Sequence, residues 1–409
     1  MNVEDRRGTG LGAVDVGAEA TGAPAPRALA PAAADAQTAR RPWVSPLGRR
    51  RWRNFRRNGR AFWSLVLFSI LFGASLFADV LANDKPILVS YRGELRMPIF
   101  QFYPETAFGG DFGTEAIYRD PEVECLIVSG GLVECFDDPE GVLADAEDGV
   151  VAGEPIERGW TLWPPIPFSY DTPVDKPGVA PGPPDSINWL GTDDTKRDVL
   201  ARVIHGFRLS VIFTLIVTAI ASAIGIALGA VQGYFGGWID LGMQRVIEIW
   251  GAMPSLYVII ILFAILGRSF WLLVLVTTLF AWPALVGVVR AEFLRARNFE
   301  YVRAARALGV GDGTIMRRHV LPNAMVATLT LMPFLITGGI ATLASLDFLG
   351  FGLPSSAPSL GELTRQAKDN LQAPWLGFTA FFTLAIMLSL LVFIFEGVRD
   401  AFDPRKTFR

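Results

Sequence analysis

Residues 290–323 read RAEFLRARNFEYVRAARALGVGDGTIMRRHVLPN, a long basic segment that lies between apolar runs in the second half of the chain. It holds seven arginines against two glutamates and one aspartate. An excess of arginine beside membrane spans marks the cytoplasmic side. We therefore expect this segment, which we call the arginine loop, to face the cytosol.

Local sequence predicts a helix, a turn and a helix within the arginine loop. Good helix formers fill residues 292–308 without an internal glycine or proline, and Gly309 supplies a stop. Asp312 then caps a second helix, which Pro322 ends where the next span begins.

This pattern resembles the signature loop of ABC importer permeases, in which two alanines precede a glycine and, after a fixed gap, a Leu-Pro pair. The matching residues are Ala304, Ala305, Gly309, Leu321 and Pro322. Arg303 replaces the usual Glu and His319 the usual Ile, as in peptide-class permeases. The resemblance implies docking on a separate ATPase subunit, which binds ATP and Mg while this chain binds no cofactor. The alternative is an ordinary basic connector with chance spacing.

Composition agrees with a membrane protein, because 51% of the 409 residues are hydrophobic and only 19% charged. The mean hydropathy is +0.37. Apolar stretches predict six transmembrane helices, an all-α polytopic fold that the resemblance identifies with ABC type I importer permeases. The stretches lie near residues 61–82, 209–231, 255–266, 270–289, 324–346 and 376–395. The third extends back through Trp250 and bends at Pro254.

The expected organisation has four parts. Residues 1–60 form a disordered basic cytoplasmic tail, and 61–82 form the first transmembrane helix. Residues 83–200 form a periplasmic insertion between the first two spans, and 201–409 form a core of five helices that includes the coupling loop 290–323. Alternation of the spans places both termini in the cytoplasm. Nine arginines within residues 40–60 favour an anchor on anionic lipid over nucleic-acid binding.

The insertion is acidic, with 23 Asp and Glu against 8 Lys and Arg. Strand-like pieces at 87–91 and 125–128 suggest a small subdomain. Cys125 and Cys135 lie ten positions apart in a compartment that we expect to be oxidising, so they could form a disulfide. Two free thiols are an equally open alternative, because spacing alone does not fix the geometry.

Two further segments resemble extracytoplasmic motifs of the dipeptide, oligopeptide and nickel permeases. The first precedes the core and includes Gly191, Thr192, Asp193, Arg197 and Asp198. Lys196 stands there where the family commonly has Gly. We expect residues 198–205 to form an amphipathic interfacial helix, with His205 as a surface or capping residue.

The second segment is an outer loop with Phe348, Leu349 and Gly350, followed by a helix at 360–367 that Ser359 caps. A plain connector is the alternative for this loop. Separately, glycines at 225, 229 and 233 predict close helix packing, within the chain rather than at a dimer seam.

The apolar stretches carry very few charged or titratable side chains. Apart from Asp79 near the end of the first stretch, and interfacial residues such as Arg208, Arg268, Asp347 and Glu396, the six apolar stretches hold no Asp, Glu, Lys, Arg or His. Carriers driven by ion gradients usually need such groups. None of the five lysines follows a glycine, so a P-loop is excluded, and no catalytic, cofactor-binding or metal residues are expected. The remaining interpretation is a non-catalytic transport subunit that a separate protein supplies with energy. An ion-coupled carrier and a membrane-anchored receptor are the alternatives.

The chain looks most like the second permease of the Yej-type peptide and microcin C importers. That resemblance implies a bacterial inner-membrane location, a different permease as partner in a heterodimer, ABC ATPase subunits and a periplasmic peptide-binding protein. It implies contact with the lipid bilayer and none with nucleic acid. The expected cargo is an oligopeptide or a peptide-like antibiotic.

Overall fold

The protein is described from a computed structural model, which covers residues 46–146, 150–151, 154–155, 157–174 and 178–402. The part of the predicted tail before residue 46, and residues 403–409, lie outside the described residues. Residues 46–57, which were expected to belong to the disordered tail, form a helix. From Leu47 onward the chain forms one unit.

Helices dominate the described residues. In chain order they are α1 Pro46–Arg57, α2 Gly59–Leu76, α3 Ala78–Leu81, α4 Pro121–Ser129, α5 Pro139–Ala146, α6 Val199–Phe235, α7 Gly237–Ala252, α8 Ser255–Leu266, α9 Phe270–Ala281, α10 Pro283–Ala296, α11 Glu300–Ala307, α12 Asp312–Thr314, α13 Leu321–Phe348, α14 Leu360–Asp369 and α15 Pro374–Phe402. A π-helical turn, Ile315–Val320, joins α12 to α13. Two 3-10 turns, Glu105–Phe108 and Val133–Phe136, lie in the insertion.

Within the described residues, five helical segments are long and apolar enough to cross a membrane. They are Gly59–Leu76, Val199–Phe235, Phe270–Ala296, Asp312–Phe348 and Pro374–Phe402. A sixth crossing results if α7 and α8, which are bent by 71° at their junction, count as one span. The prediction of a helical polytopic membrane protein is therefore confirmed. The bend follows Met253 and Pro254, where the sequence predicted it.

Helix α6 lies at the centre of the bundle and packs against α2, α9, α10, α13 and α14. Its glycine stripe faces α10. A Cβ at Gly229 would lie 2.8 Å from the Val286 carbonyl oxygen and 2.9 Å from the Val289 Cβ. The predicted packing within the chain is thus confirmed, because only a hydrogen at these positions lets the two backbones approach so closely.

The basic segments share one end of the bundle. Asp79, just past α2, contacts Arg208 near the start of α6, so α2 and α6 run in opposite directions. At the far end, Phe55 of α1 packs with Ala61 and Ala401. We call this end, which also carries α11, the arginine end, and the opposite one the insertion end.

The insertion between α3 and α6 contains short strands. They are β1 Leu88–Tyr91, β2 Glu94–Arg96, β3 Val150–Val151, β4 Glu154–Pro155 and β5 Trp160–Leu162. One antiparallel sheet has the order β2-β1-β5, with Val89 opposite Arg96 and Thr161, and the other pairs β3 with β4. A small core of aromatic and aliphatic side chains lies beneath the first sheet.

The prediction of strand at 87–91 was close, but the prediction at 125–128 was wrong. Those residues lie in α4, which Pro121 begins and Asp120 caps through a hydrogen bond from the Glu122 amide. An aspartate followed by proline starts a helix even where the side chains behind it favour strand. The structure joins Cys125 of α4 to Cys135 in a disulfide, with a Cα–Cα distance of 5.6 Å.

Candidate functional site

Helix α11 of the arginine loop is amphipathic and fixed to the bundle along one side. Val302 and Ala305 are buried in a cluster with residues of α6 and α10, including Tyr234 and Phe293. Arg303 and Ala304, which belong to the predicted motif together with Ala305, are exposed. Helix α11 is therefore held to the bundle by its buried residues and exposes Arg303 and Ala304 at its surface.

The turn after α11 depends on Gly309, whose φ of +78° lies in the left-handed region. The Val310 amide donates to the Ala305 carbonyl at 3.1 Å, and the Gly309 amide donates to the Arg306 carbonyl at 3.0 Å. These two bonds form a Schellman C-cap, which favours glycine at this position. No atom lies within 4 Å of a Cβ built at Gly309, so backbone conformation and not space requires the glycine.

The second predicted helix differs from expectation. Asp312 is not its cap, because Gly311 occupies the N-cap position and Asp312 is the first residue of the helix. The Asp312 carboxylate instead accepts a hydrogen bond from the Tyr234 hydroxyl. Nor does Pro322 end it, because the helix runs from Asp312 to Phe348. Pro322 lies in the first turn of α13, where a missing N–H is tolerated, directly after the π-helical turn.

His319 and Leu321 lie in this continuous helix. Leu321 is partly buried against the cluster that holds α11, and the His319 carbonyl accepts a hydrogen bond from the Asn323 amide nitrogen at 3.2 Å. Asn323 also donates to the Tyr301 hydroxyl at 3.3 Å. The two halves of the loop are thus joined through Asn323, which the sequence analysis did not single out.

A polar cleft of about 600 Å³ separates α11 from the end of α6. Arg306 donates to the Tyr234 hydroxyl at 3.0 Å, and Asp312 lies 3.9 Å from the Arg306 guanidinium. Arg297 donates to the Tyr234 carbonyl at 3.4 Å. Tyr234 was missed because its neighbours in sequence give no sign that two parts of a loop some seventy residues later meet there.

At the insertion end, Asp193 is the centre of the first extracytoplasmic motif. Its carboxylate is fully buried and accepts two hydrogen bonds from Arg197, one from the guanidinium and one from the backbone amide, both at 2.9 Å. Arg202 lies 3.5 Å away and Gln366 of α14 donates at 3.4 Å. The motif therefore joins the start of α6 to α14, which follows it by more than 150 residues.

Arg202 corrects the prediction of an interfacial helix at 198–205. These residues begin α6 itself, and the Arg202 side chain is fully buried, donating to the carbonyls of Tyr170 and Ala357 at 3.2 Å. His205 is only 2% exposed and bonds the Ala201 carbonyl, so it is not a surface residue. Backbone from the insertion and the outer loop contacts Arg202, and the Tyr170 ring lies 4.8 Å from the His205 ring, which the helical pattern alone does not show.

The remaining residues of this motif shape the junction. Gly191 has a φ of +74°, and a Cβ there would lie 2.6 Å from the Gly182 carbonyl oxygen. Thr192 accepts a hydrogen bond from the Gly182 amide at 2.9 Å. Asp198 caps α6 by accepting from the Ala201 amide at 2.7 Å, and burial raises the pKa of its carboxyl. Lys196 adopts a φ of +64°, a conformation that glycine takes readily.

The outer loop closes on itself around Asp347. Gly350, at a φ of +78°, caps α13 together with a hydrogen bond from the Phe351 amide to the Leu346 carbonyl at 2.8 Å. Leu349 is half exposed, and Phe348 lies under the ammonium of Lys368. Asp347 accepts hydrogen bonds from Ser359 and from the Leu353 amide.

Ser359 is the cap of α14, since its hydroxyl also accepts from the Glu362 amide. The predicted cap is confirmed. The role of Asp347, which the sequence analysis treated as merely interfacial, was missed. Among the described residues no group of three or more His, Cys, Asp or Glu is arranged to hold a metal ion. The absence of catalytic and cofactor-binding residues stays a prediction.

The apolar spans and the loop between them define the class of protein, a polytopic membrane permease. The family model of binding-protein-dependent transport system inner membrane components matches residues 221–408. The model of the N-terminal transmembrane domain of oligopeptide transport permease C matches residues 45–97.

Curated relatives extend these matches to nearly the whole chain. The chain is 51% identical to the peptidoglycan transport system permease protein YejE of Agrobacterium fabrum, with 90% of this chain and 96% of the relative covered. It is 50% identical to the inner membrane ABC transporter permease protein YejE of Escherichia coli, with 89% and 98% covered. Identity to the oligopeptide permease OppC of Bacillus subtilis is 32%, over 60% of this chain and 80% of that protein.

The chain therefore belongs to the family of binding-protein-dependent transport system inner membrane components. It is a multi-pass inner-membrane protein and the permease subunit of an ABC transporter. These matches do not favour the ion-coupled carrier or the membrane-anchored receptor.

Proposed function

We propose that this chain carries oligopeptides or peptide-like antibiotics of the microcin C type across the bacterial inner membrane. Two observations support peptide-class cargo: the relatives are named as peptidoglycan and oligopeptide permeases, and the loop carries the Arg303 and His319 variant. Separate ATPase subunits supply the energy, and they bind ATP and Mg while this chain binds none.

The observation that carries the proposal is the mounting of α11. Its inner face is anchored by Val302 and Ala305, and its outer face presents a small side chain, Ala304, beside exposed Arg303. Leu308 beyond it is 83% exposed. A short helix with a small residue on its outer face fits closely against a protein groove, and its rigid inner face transmits the movement of that groove to the bundle.

Movement of α11 is passed directly to at least two spans. Arg306 bonds Tyr234 at the end of α6, and Tyr234 bonds Asp312, the first residue of the helix that continues as α13. Both helices reach the insertion end, where Arg202 of α6 holds the loop that follows α13. Displacement of α11 at the arginine end is thereby linked to the opposite end of the bundle.

The same proposal fixes the partners and the sidedness. The arginine end, both termini and the predicted tail lie in the cytoplasm, and the insertion lies in the periplasm. The bent pair α7–α8 completes a sixth span. A second, different permease forms the other half of the conduit, ABC ATPase subunits dock on the arginine loop, and a periplasmic peptide-binding protein delivers cargo. The spans contact the lipid bilayer, and no nucleic acid takes part.

Reconstituted vesicles test this function. The full set of subunits is reconstituted in proteoliposomes with peptide and binding protein outside. The transporter is oriented so that its ATPase subunits face the interior, where ATP is enclosed. We expect peptide uptake that requires ATP and both permeases, and that stops with an ATPase subunit unable to hydrolyse ATP. Uptake driven by an ion gradient in the absence of ATP would contradict the proposal and favour a carrier.

A further inference from the structure

A cleft of about 850 Å³ opens in the insertion, at the end of the bundle opposite the arginine loop. Segments near Asp84, Arg119, Phe168 and Asn188 line it. Its volume falls within the range typical of pockets for small organic ligands, roughly 300 to 1,000 Å³. Asn188 also donates to Asp198, the cap of α6, at 2.9 Å, so the cleft adjoins the start of a membrane span.

The acidic groups of this cleft already have donors. Asp84 accepts a hydrogen bond from the Thr172 hydroxyl at 2.5 Å, and Glu115 is paired with Lys85 at 2.5 Å. Asp120 accepts from the Glu122 amide as the cap of α4. A ligand cation would therefore compete with contacts that exist within the protein.

Arg119 is in the opposite situation. Its guanidinium lies over the rings of Phe168 and Trp163, with distances of 4.6 and 5.0 Å to the ring centroids. Among the residues that the structure describes, it makes no hydrogen bond or ion pair. The two rings lie against the guanidinium, and its five N–H donors have no acceptor among the described residues.

A free guanidinium edge selects one ligand chemistry. Two parallel N–H donors match the two oxygens of a carboxylate, and the resulting bidentate pair is stronger than a bond between neutral groups. Apolar side chains line the same cleft, including Ile117 and Ile187, which are 68% and 63% exposed. The cleft thus combines a carboxylate receptor with apolar walls.

We propose that this cleft binds the free carboxyl terminus of a short peptide, with Arg119 pairing with the carboxylate and the apolar walls covering adjacent side chains. The choice of a peptide rests on the function proposed above. Binding here is separate from the membrane path, and it would hold cargo where the insertion joins α6.

The purified full chain with its disulfide intact tests this proposal by calorimetric titration. The probes are tetraalanine and tetraalanine amide, which differ only at the carboxyl terminus. We expect tetraalanine to bind, and its affinity to fall at least about tenfold with the amide or with Arg119→Gln, because one charge-assisted pair is lost. Arg119→Lys keeps the charge but loses the fork and gives intermediate affinity. Arg158→Gln, at an exposed arginine of the same insertion, leaves the affinity unchanged.

Three results would overturn the proposal: no binding of tetraalanine at millimolar concentration, equal affinity for acid and amide, or equal affinity of the wild type and Arg119→Gln. The comparison of acid with amide uses only the wild type, so it holds even if a variant folds poorly. Carboxylate-dependent binding without ATP-driven uptake would support the cleft and reject peptide import. Normal uptake without such binding would reject the cleft alone.

Discussion

The Tyr234 hydroxyl donates a hydrogen bond to the Asp312 carboxylate at 2.5 Å, joining the last turn of α6 to the first turn of the second helix of the arginine loop. Arg306 of α11 donates to the same hydroxyl at 3.0 Å. One phenol therefore connects three elements of the arginine end. It gives a load on α11 a hydrogen-bonded route to two spans.

Tyr234→Phe removes this hydroxyl and keeps the ring in the buried cluster. We expect the free energy of unfolding to fall by about 1 kcal/mol, the usual contribution of one hydrogen bond. The amount of peptide taken up per ATP hydrolysed should also fall, because α11 is then less firmly held. Thermal unfolding and paired uptake and ATPase assays measure the two effects. Tyr257→Phe, the same change at a tyrosine of α8 that is 65% exposed, serves as the control; an equal loss in both variants would count against a special role for Tyr234.

Gly309→Val places a β-branched side chain at a φ of +78°. The left-handed conformation costs roughly 1–2 kcal/mol for a residue with a Cβ, so we expect the turn after α11 to change shape. ATP hydrolysis should continue while uptake falls by about fivefold or more, the usual scale of a lost coupling energy. Gly313→Val is the matched control, because Gly313 also has open space around it but no left-handed φ. Unchanged uptake in Gly309→Val would reject the role given to this turn.

Gly229→Ala tests the seam between α6 and α10. The added methyl group would meet the Val286 carbonyl and the Val289 side chain, and overpacking of this kind costs about 1–3 kcal/mol. We expect a lower Tm in detergent. Gly287→Ala, on α10 with no atom within 4 Å of the new Cβ, should leave Tm unchanged or raise it, since alanine favours helix. Equal Tm values would show that the seam is not closely packed.

Lys196→Gly relieves a left-handed residue in the first extracytoplasmic motif. Lys196→Ala is the comparison, since it removes the same charge but keeps a Cβ at a φ of +64°. We expect the glycine variant to be more stable than the alanine variant by up to about 1 kcal/mol, after the entropy cost of glycine is subtracted. Denaturant unfolding of the purified chain measures the difference. An alanine variant as stable as the glycine variant would mean that the turn is not strained.

Sequence was a good guide wherever one element determines its own form. Span positions followed from apolar length, and residues 255–266 match α8. The Gly309 turn and the Ser359 cap are local motifs whose partners lie within a few residues.

The errors concern contacts between distant segments. The sequence indicates an interfacial charge at Arg202, because only the fold brings the carbonyls of Tyr170 and Ala357 to this side chain. The sequence predicts a helix end at Pro322, but the π-helical turn before it continues directly into α13. Tyr234 and Asp347 act on partners that the sequence does not place beside them.

The central claim is that a separate ATPase subunit grips the arginine loop from the cytoplasm. Leu308, at the tip of the loop, is 83% exposed, and the two cysteines of the sequence are joined in the Cys125–Cys135 disulfide, so Leu308→Cys introduces a unique thiol. Phe112→Cys, at a position of the insertion that is 62% exposed, is the control for sidedness.

The decisive measurement is thiol crosslinking from position 308 in the assembled transporter, combined with labelling by a reagent that cannot cross the membrane. We predict a crosslink to the ATPase subunit, and protection of position 308 from reagent added outside spheroplasts while position 112 is labelled. Labelling of position 308 from outside, with no crosslink to the ATPase subunit, would contradict the account.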